Sequence, residues 1–348
     1  MILTRTPFRI SLFGGGTDYP VWFRRHGGAA LAFAIDKYCY ISCRYLPPFF
    51  EHHSRIIYSR VENVTDNQSI EHPSVRACLK FLQVESGLEI HHDADLPARS
   101  GLGSSSAFTV GLLHALHALL GRMPPPGQLA QEAITIEQDW LGENVGVQDQ
   151  LITAYGGLRK LEFSADGELW AHPLPLSSAR IRELESHLCL CFTGFSRWAS
   201  EVAAEQIANT PQRTRELSEM AELVNHAIAK LCDSRVSMAE LGPLLDHSWR
   251  LKRSLSHRIS TPQIDELYAL GMQAGALGGK ILGAGGGGFM LFWVPPERQQ
   301  NFRAALPPLI WVPVSIVNSG SQLVYFQPQD SYHESFMLQR KAAYAHNG

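Results

Sequence analysis

The segment Leu96-Pro-Ala-Arg-Ser-Gly-Leu-Gly-Ser-Ser-Ser-Ala107 limits the choice of folds more than any other stretch of this chain. The run Leu88–His92 before it reads as a strand that ends at a proline. Beyond the serines the period changes, and Phe108, Leu112, Ala115, Leu116 and Leu119 recur at helical spacing. A strand, a turn of small residues and a long helix therefore follow one another directly. Glycines let a backbone approach a bulky anion, and free amides at a helix N-terminus then point at its phosphates. Serines at that place are expected to cap the helix and to offer hydroxyls to a metal held between phosphate oxygens. Gly101, Leu102, Gly103, Ser104, Ser105 and Ser106 are thus the candidate phosphate loop. The plain alternative is a capped helix after a flexible turn. Gly-Lys-Ser/Thr is absent, which excludes a Walker A loop, and the spacing is not that of a dinucleotide-binding turn.

Two further motifs weigh against the plain alternative. Gly146-Val-Gln-Asp-Gln150 follows a helix that carries Glu137 and precedes Ala154-Tyr-Gly-Gly157. A carboxylate in such a loop, Asp149, suits the orientation or deprotonation of a hydroxyl, and Glu137 suits magnesium. The bland reading pairs Glu137 with a lysine and makes Asp149 a turn residue. Gly283-Ala-Gly-Gly-Gly-Gly288 lies between two apolar strands, where so many glycines are entropically costly. They fit a place where the main chain passes close to a ligand or to the first domain's loop, so Gly285 and Gly286 are substrate-side candidates. Near the N-terminus Arg9 falls inside a strand, where an arginine usually meets a buried carboxylate or a phosphate. Asp18 falls in the turn Gly14-Gly-Gly-Thr-Asp-Tyr19, which it also suits as a capping residue.

Strands are expected at Phe8–Phe13, Tyr38–Leu46, Leu158–Phe163, Leu169–His172, Leu188–Phe192 and in a pair around Gly283–Val294. Helices are expected at Val75–Val84, Gln128–Leu141, Ala199–Ile207, Gln212–Leu231, Met238–Leu255 and Pro262–Gln273. The order of strands and helices gives an α+β protein of two domains, 1–184 and 185–348, with the junction at Ser177–Leu184. With 348 residues, 45% hydrophobic and 18% charged, the chain can bury two ordinary cores. A net charge of −3 without long like-charge runs predicts no nucleic-acid or membrane partner. Six cysteines without Cys-x-x-Cys spacing predict neither zinc nor a redox pair. No apolar stretch is long enough for a membrane span, and Met1-Ile-Leu-Thr-Arg-Thr-Pro7 lacks a signal layout, so a cytoplasmic place is expected.

Taken together, these motifs resemble the GHMP kinase superfamily, and the resemblance spans residues 7 to 290. It implies an N-terminal domain like domain 2 of ribosomal protein S5 and a ferredoxin-like C-terminal domain, with the active site in the cleft between them. It implies ATP and Mg2+ as cofactors, with Gly101–Ser106 cradling the phosphates, Ser105 and Glu137 on magnesium, and Asp149 as catalytic acid–base residue beside Arg9. Asp18 matches the sugar-binding aspartate of galactokinase-like members, and Gly15, Gly16 and Thr17 on the same turn are substrate-binding candidates with it. Where galactokinases carry Gly-Glu-His-Thr-Asp-Tyr, this chain has Gly15 and Gly16 before Thr17, which argues against galactose and implies room for a larger substrate. The turn, Ala34-Ile-Asp-Lys-Tyr38 and Gly278–Phe289 look most like the D-glycero-D-manno-heptose 7-phosphate kinases, which phosphorylate an anomeric hydroxyl. A phosphorylated sugar requires cationic or amide partners, and Arg197 is a candidate for them; capping local structure is its alternative role. Rival readings are a kinase of fucose or another free sugar, and a catalytically silent regulator that binds sugar and ATP.

Overall fold

The first strand, β1 (Ile2–Phe13), is buried along almost its whole length, so it reads as a central strand rather than an edge. It pairs antiparallel with β2 (Gly28–Tyr45), an 18-residue strand that serves two neighbours. The first part of β2 pairs with β6 (Leu158–Phe163), and the second part with β5 (Leu88–Ala94). β3 (Ser54–Ile57), β4 (Val61–Val64) and β7 (Leu169–Pro173) complete this side, and β3 alone runs parallel to its neighbour β5. A computed structural model describes residues 1–47, 49–98, 100–194 and 199–327 of the chain. No helix among them is long and apolar enough to cross a membrane.

The second sheet holds β8 (Leu188–Phe192), β9 (Gly278–Ile281), β10 (Phe289–Trp293) and β11 (Ile310–Val312) in the order β11-β8-β10-β9, all antiparallel. In chain order that is 4-1-3-2, with helices between the first and second strands and before the last, which is the ferredoxin-like arrangement. The expected α+β class therefore holds, with a mixed domain at each end. A single cut at residue 184 does not describe the sheets, however. After β11 the chain crosses back, and β12 (Gln322–Phe326) pairs with β1, Ile2 opposite Phe326, so the first sheet has eight strands. The segment expected as the domain junction is the helix Ser178–Ser186, capped by Ser177. Its Arg180 donates to the carbonyls of Lys230, Leu231, Asp233 and Val236, which fixes it to the end of the helix Thr214–Cys232.

The helix Ser104–Leu119 lies against β1 and β2 and is buried from Ser106 to Ala118. A helix apolar on nearly all sides belongs at the centre of a domain, and this one brings its N-terminus to the boundary with the second sheet. The helix expected over Gln128–Leu141 is α-helical only at Pro126–Ile134. It continues as a π-helix over Thr135–Trp140. Cys189 and Cys191 are buried free thiols in β8, as their strand setting suggests.

Candidate active site

Arg9 stands between two shifts of register in the β1–β2 pairing, one after Pro7 and one before Phe13. Such irregularities re-aim side chains. Its backbone N–H donates to Leu102 O at 2.9 Å, which laces the candidate phosphate loop to β1. Its guanidinium donates twice to Asp149, Nε to Oδ1 at 2.7 Å and Nη2 to Oδ2 at 2.6 Å, and once through Nη1 to Gly101 O at 2.6 Å. Arg9 thus satisfies the carboxylate partner expected of a strand arginine, and it ties that carboxylate to the loop. Arg9 is 4% exposed and Asp149 is 27% exposed, so the pair is closed on the arginine side and open on the aspartate side. Asp149 lies in the first turn of the helix Gln148–Tyr155.

Gly103 precedes the serine helix at φ +75°, a conformation that suits glycine. A Cβ there would lie 3.0 Å from Arg9 Cγ and 3.4 Å from Asp149 Oδ2, so the loop also needs glycine for its approach to the ion pair. No serine caps this helix; the residue at the cap is Gly103 itself. Ser106 is buried and donates from Oγ to Glu137 Oε2 at 2.9 Å, whereas Ser105 is exposed at the first turn. The structure therefore brings Ser106, not Ser105, into contact with Glu137.

Glu137 projects from the π-helix, and π turns are frequent at functional sites. It is fully buried, and burial raises its carboxyl to about 7, opposed by the nearby Thr109 and Ser106 hydroxyls and the Gln150 amide. Gln150 Nε2 and Ser106 share one oxygen, and the other, Oε1, has no hydrogen-bond partner among the described residues. A buried carboxylate with one unused oxygen, beside the Ser106 hydroxyl, fits magnesium. That ion usually takes one or two carboxylates and completes its shell with water and substrate phosphates. Among the described residues no group of three or more His, Cys, Asp or Glu forms a protein-only metal cage.

Asp18 closes the turn after β1. Its Oδ1 accepts from Gly16 N at 2.8 Å, and a Cβ on Gly146 would stand 1.9 Å from its Oδ2. Burial raises the Asp18 carboxyl above its ordinary range, the Gly16 amide opposes this, and nearby Asp149 adds to it. Thr17 is fully buried, and its hydroxyl lies within hydrogen-bonding distance of the Gly14 and Ala29 carbonyls, so it locks the turn instead of facing a ligand. The space beside Gly16 is already taken. A Cβ there would come 2.8 Å from Gln206 Nε2 of the second domain, with Leu217 and Leu255 behind it. The glycine makes room for protein, not for a larger substrate. Gly15 is half-buried, and its nearest neighbour is Ser11 Oγ.

The glycine-rich loop of the second domain lies on the candidate phosphate loop of the first. Gly283 meets the backbone of Gly101, Gly288 meets that of Ser100, and Phe289 N donates to Ser100 O at 3.1 Å. Gly285 and Gly286 pack instead on Ile259, to whose carbonyl Gly286 N donates at 2.9 Å. Arg197 lies outside the described residues. Two lysines that the sequence reading left without a role meet here. Lys252 donates to Gly283 O, and Lys280 donates to Leu12 O at 3.0 Å across the domain boundary. Both are buried, and burial lowers both ammonium groups, Lys252 to about 8. A sequence signal for Lys252 exists: Leu245, Ser248, Trp249, Lys252 and Leu255 form one buried stripe of the helix Leu241–Leu255.

Residues 73–157 match the GHMP kinases N terminal domain, and residues 227–308 match the GHMP kinases C terminal region. A D-glycero-alpha-D-manno-heptose 7-phosphate kinase of Campylobacter jejuni is 29% identical over 88% of this chain and 93% of its own. A mevalonate kinase of Methanothermobacter thermautotrophicus is 30% identical over 63% of this chain and 68% of its own. Among solved structures, a D-glycero-D-manno-heptose 1-phosphate kinase from Bacteroides thetaiotaomicron shares the fold at a TM-score of 0.75. Its identity is 22%, over 94% of this chain and 100% of its own. Both halves of the chain and their joint fold thus agree with the arginine–aspartate pair and its glycine loop: this chain belongs to the GHMP kinase family and is a phosphotransferase with an alcohol group as acceptor.

Proposed function

We propose that this kinase transfers the terminal phosphoryl group of ATP to the anomeric hydroxyl of D-glycero-D-manno-heptose 7-phosphate. The product would be the 1,7-bisphosphate, on a cytoplasmic route to nucleotide-activated heptose for surface polysaccharide. The observation that carries the reading is Asp149, held from one side by Arg9 and close enough to Asp18 for their charges to interact. A sugar hydroxyl bound at Asp18 would lie near a carboxylate oxygen able to accept its proton. The likeness to the Campylobacter heptose 7-phosphate kinase, over nearly the full length of both chains, supports this sugar over others.

Phosphoryl transfer asks the protein mainly for positioning and charge neutralisation. The amides at the start of the helix Ser104–Leu119 would face the nucleotide's phosphates, with Gly101 and Gly103 allowing close approach. Glu137 with Ser105 or Ser106 would hold magnesium, which would supply charge neutralisation for the nucleotide's phosphates. Arg9 balances Asp149 and is placed to assist the group in transit. Asp18 orients the sugar, with Gly15 on the same turn, and Asp149 takes the proton.

The test is a coupled assay of ADP release with heptose 7-phosphate, free heptose, mannose, fucose and galactose. A kcat/KM for heptose 7-phosphate at least about tenfold above every other sugar is expected. Preference for fucose or another free sugar would replace the substrate and keep the chemistry. No turnover with any sugar, but tight binding of sugar and ATP, would leave a silent regulator.

A further inference from the structure

We propose that Lys252 is a second catalytic cation of the transfer centre, docking beside Arg9 on the phosphoryl group as it passes from nucleotide to acceptor. This rests on the reading of Arg9 and Asp149 as that centre. The helix Leu241–Leu255 packs on β9 and β1 and carries Lys252 on its buried stripe, 5% exposed, to the Gly283 carbonyl. Gly283 in turn lies on Gly101, whose carbonyl Arg9 holds. From the opposite domain, Lys252 therefore holds the glycine that packs on the turn Arg9 holds.

Its charge is not balanced where it sits. An ammonium has three donors, and the hydrogen bond described for Lys252 is to one carbonyl. Neither Lys252 nor Lys280 has an ion-pair partner among the described residues, and the nearby Asp149 is engaged twice by Arg9. The charged groups around it are Arg9 from β1, Asp18 from the following turn, Asp149 from the helix Gln148–Tyr155, and Lys280 from β9. β10 brings no titratable group, and on the helix Thr214–Cys232 Glu219 is paired with His247. Burial drives Lys280 and Asp18 both toward their neutral forms, which leaves two cations, Arg9 and Lys252, against the one carboxylate of Asp149. A buried surplus of positive charge is costly unless an anion completes it. The reaction brings such an anion to this point.

In the step itself the acceptor oxygen forms its bond to phosphorus as the bond to the bridging oxygen of ATP breaks. The electron pair of that bond leaves on ADP, and the acceptor proton passes to Asp149. Lys252 and Arg9 neutralise the equatorial oxygens between the two. Only the protonated amine serves, so kcat should fall as pH rises through about 8.

Lys252→Met and Lys252→Arg, assayed in the full-length chain with ATP and the sugar that wild type prefers, test this. Lys252→Met should lower kcat by about 10²–10³-fold, as loss of one charge-stabilising donor does, with KM for both substrates nearly unchanged. Lys252→Arg should recover part of the rate and lose the alkaline fall, because arginine stays protonated. A rise in KM with kcat preserved, or an alkaline fall that persists in Lys252→Arg, would reduce Lys252 to a brace of the glycine loop. Should Lys252→Met fail to fold, the pH profile of Lys252→Arg decides alone. If Asp149→Asn keeps full turnover, the centre itself is misplaced. If only the Lys252 variants behave like wild type, the centre stands and the lysine is structural.

Discussion

Asp149 accepts two guanidinium hydrogen bonds and keeps a quarter of its surface in contact with solvent, so its chemistry and its structural role can be separated by one substitution. An asparagine in its place would retain an acceptor for Arg9 and lose the ability to take a proton. Asp149→Asn should therefore lower kcat by about 10²–10⁴-fold, the usual contribution of a general base, and leave ATP affinity near wild type. It should also lower the melting temperature, because Arg9 would become a buried cation with a neutral partner. Nucleotide titration and steady-state kinetics on the same preparation check both claims, and near-wild-type turnover would remove Asp149 as the base. At this scale the sequence was informative wherever a residue type was out of place for its element. An arginine inside a strand and an aspartate between glutamines both demanded partners, and they proved to be each other's. Lys252 escaped because a lysine on an amphipathic helix looks like a solvated residue until the phase of the apolar stripe is counted. Thr17 was misjudged for the converse reason: its neighbours suggested a ligand, but a small hydroxyl in a glycine turn is best satisfied by that turn's own carbonyls.

The elements that form the site meet by close backbone approach, and glycines mark the crossings. Gly146 is the sharpest case, because any side chain there would occupy the position of Asp18 Oδ2. Val147 N also donates to Asp18 O at 3.1 Å, so the Asp149 helix and the Asp18 turn cannot simply move apart. Gly146→Ala should displace the Asp18 carboxylate and raise KM for the sugar at least about tenfold, with KM for ATP changed far less. Equal effects on both substrates would mean that the whole cleft had shifted. The glycine clusters were legible as points of contact, but the sequence did not show what each one contacts. Of the glycines after Ala284, Gly285 and Gly286 meet Ile259 and Gly288 meets Ser100, and Gly16 faces Gln206 from a helix nearly two hundred residues away. The serine register was hidden likewise. A π turn at Thr135–Trp140 alters the phase of Glu137, so counting α-helical turns does not reveal that Ser106 is the serine that meets it.

At the scale of the molecule, several histidines are held in the packing between elements. His72 stacks on Phe108 of the serine helix at 4.8 Å, and His92 of β5 meets the same ring edge-on at 4.9 Å. His72 Nδ1 also accepts from Val75 N at the start of the helix Pro73–Phe81, which requires that nitrogen to be unprotonated. His114 bonds to Ser321, which also meets Thr6 of β1, so it ties the central helix to the returning C-terminal segment. Burial lowers all three imidazoles below 6.5. Between that value and their folded ones the unfolded chain binds more protons, so their contribution is complete above 6.5 and is lost as pH falls. Glu137 acts in the opposite sense, since a carboxyl raised to about 7 favours the folded chain on acidification. The lowered carboxylates, such as Glu89, contribute in full above about 4.5 and lose that contribution only as pH falls below it, so they add no slope between pH 5.5 and 7.5. The informative quantity is therefore a difference between two proteins. The deficit in melting temperature of His92→Asn relative to wild type should be largest at pH 7.5 and should shrink by pH 5.5, where wild type has paid to keep His92 neutral. A tenfold change in proton affinity corresponds to about 1.4 kcal/mol, and 1 kcal/mol moves the melting point of a chain somewhat smaller than this by about 2–4 °C. Thermal melts resolve such a change. A deficit that is the same at both pH values would mean that His92 is protonated alike in the folded and unfolded chains, and that the junction around Phe108 is not what acid loosens.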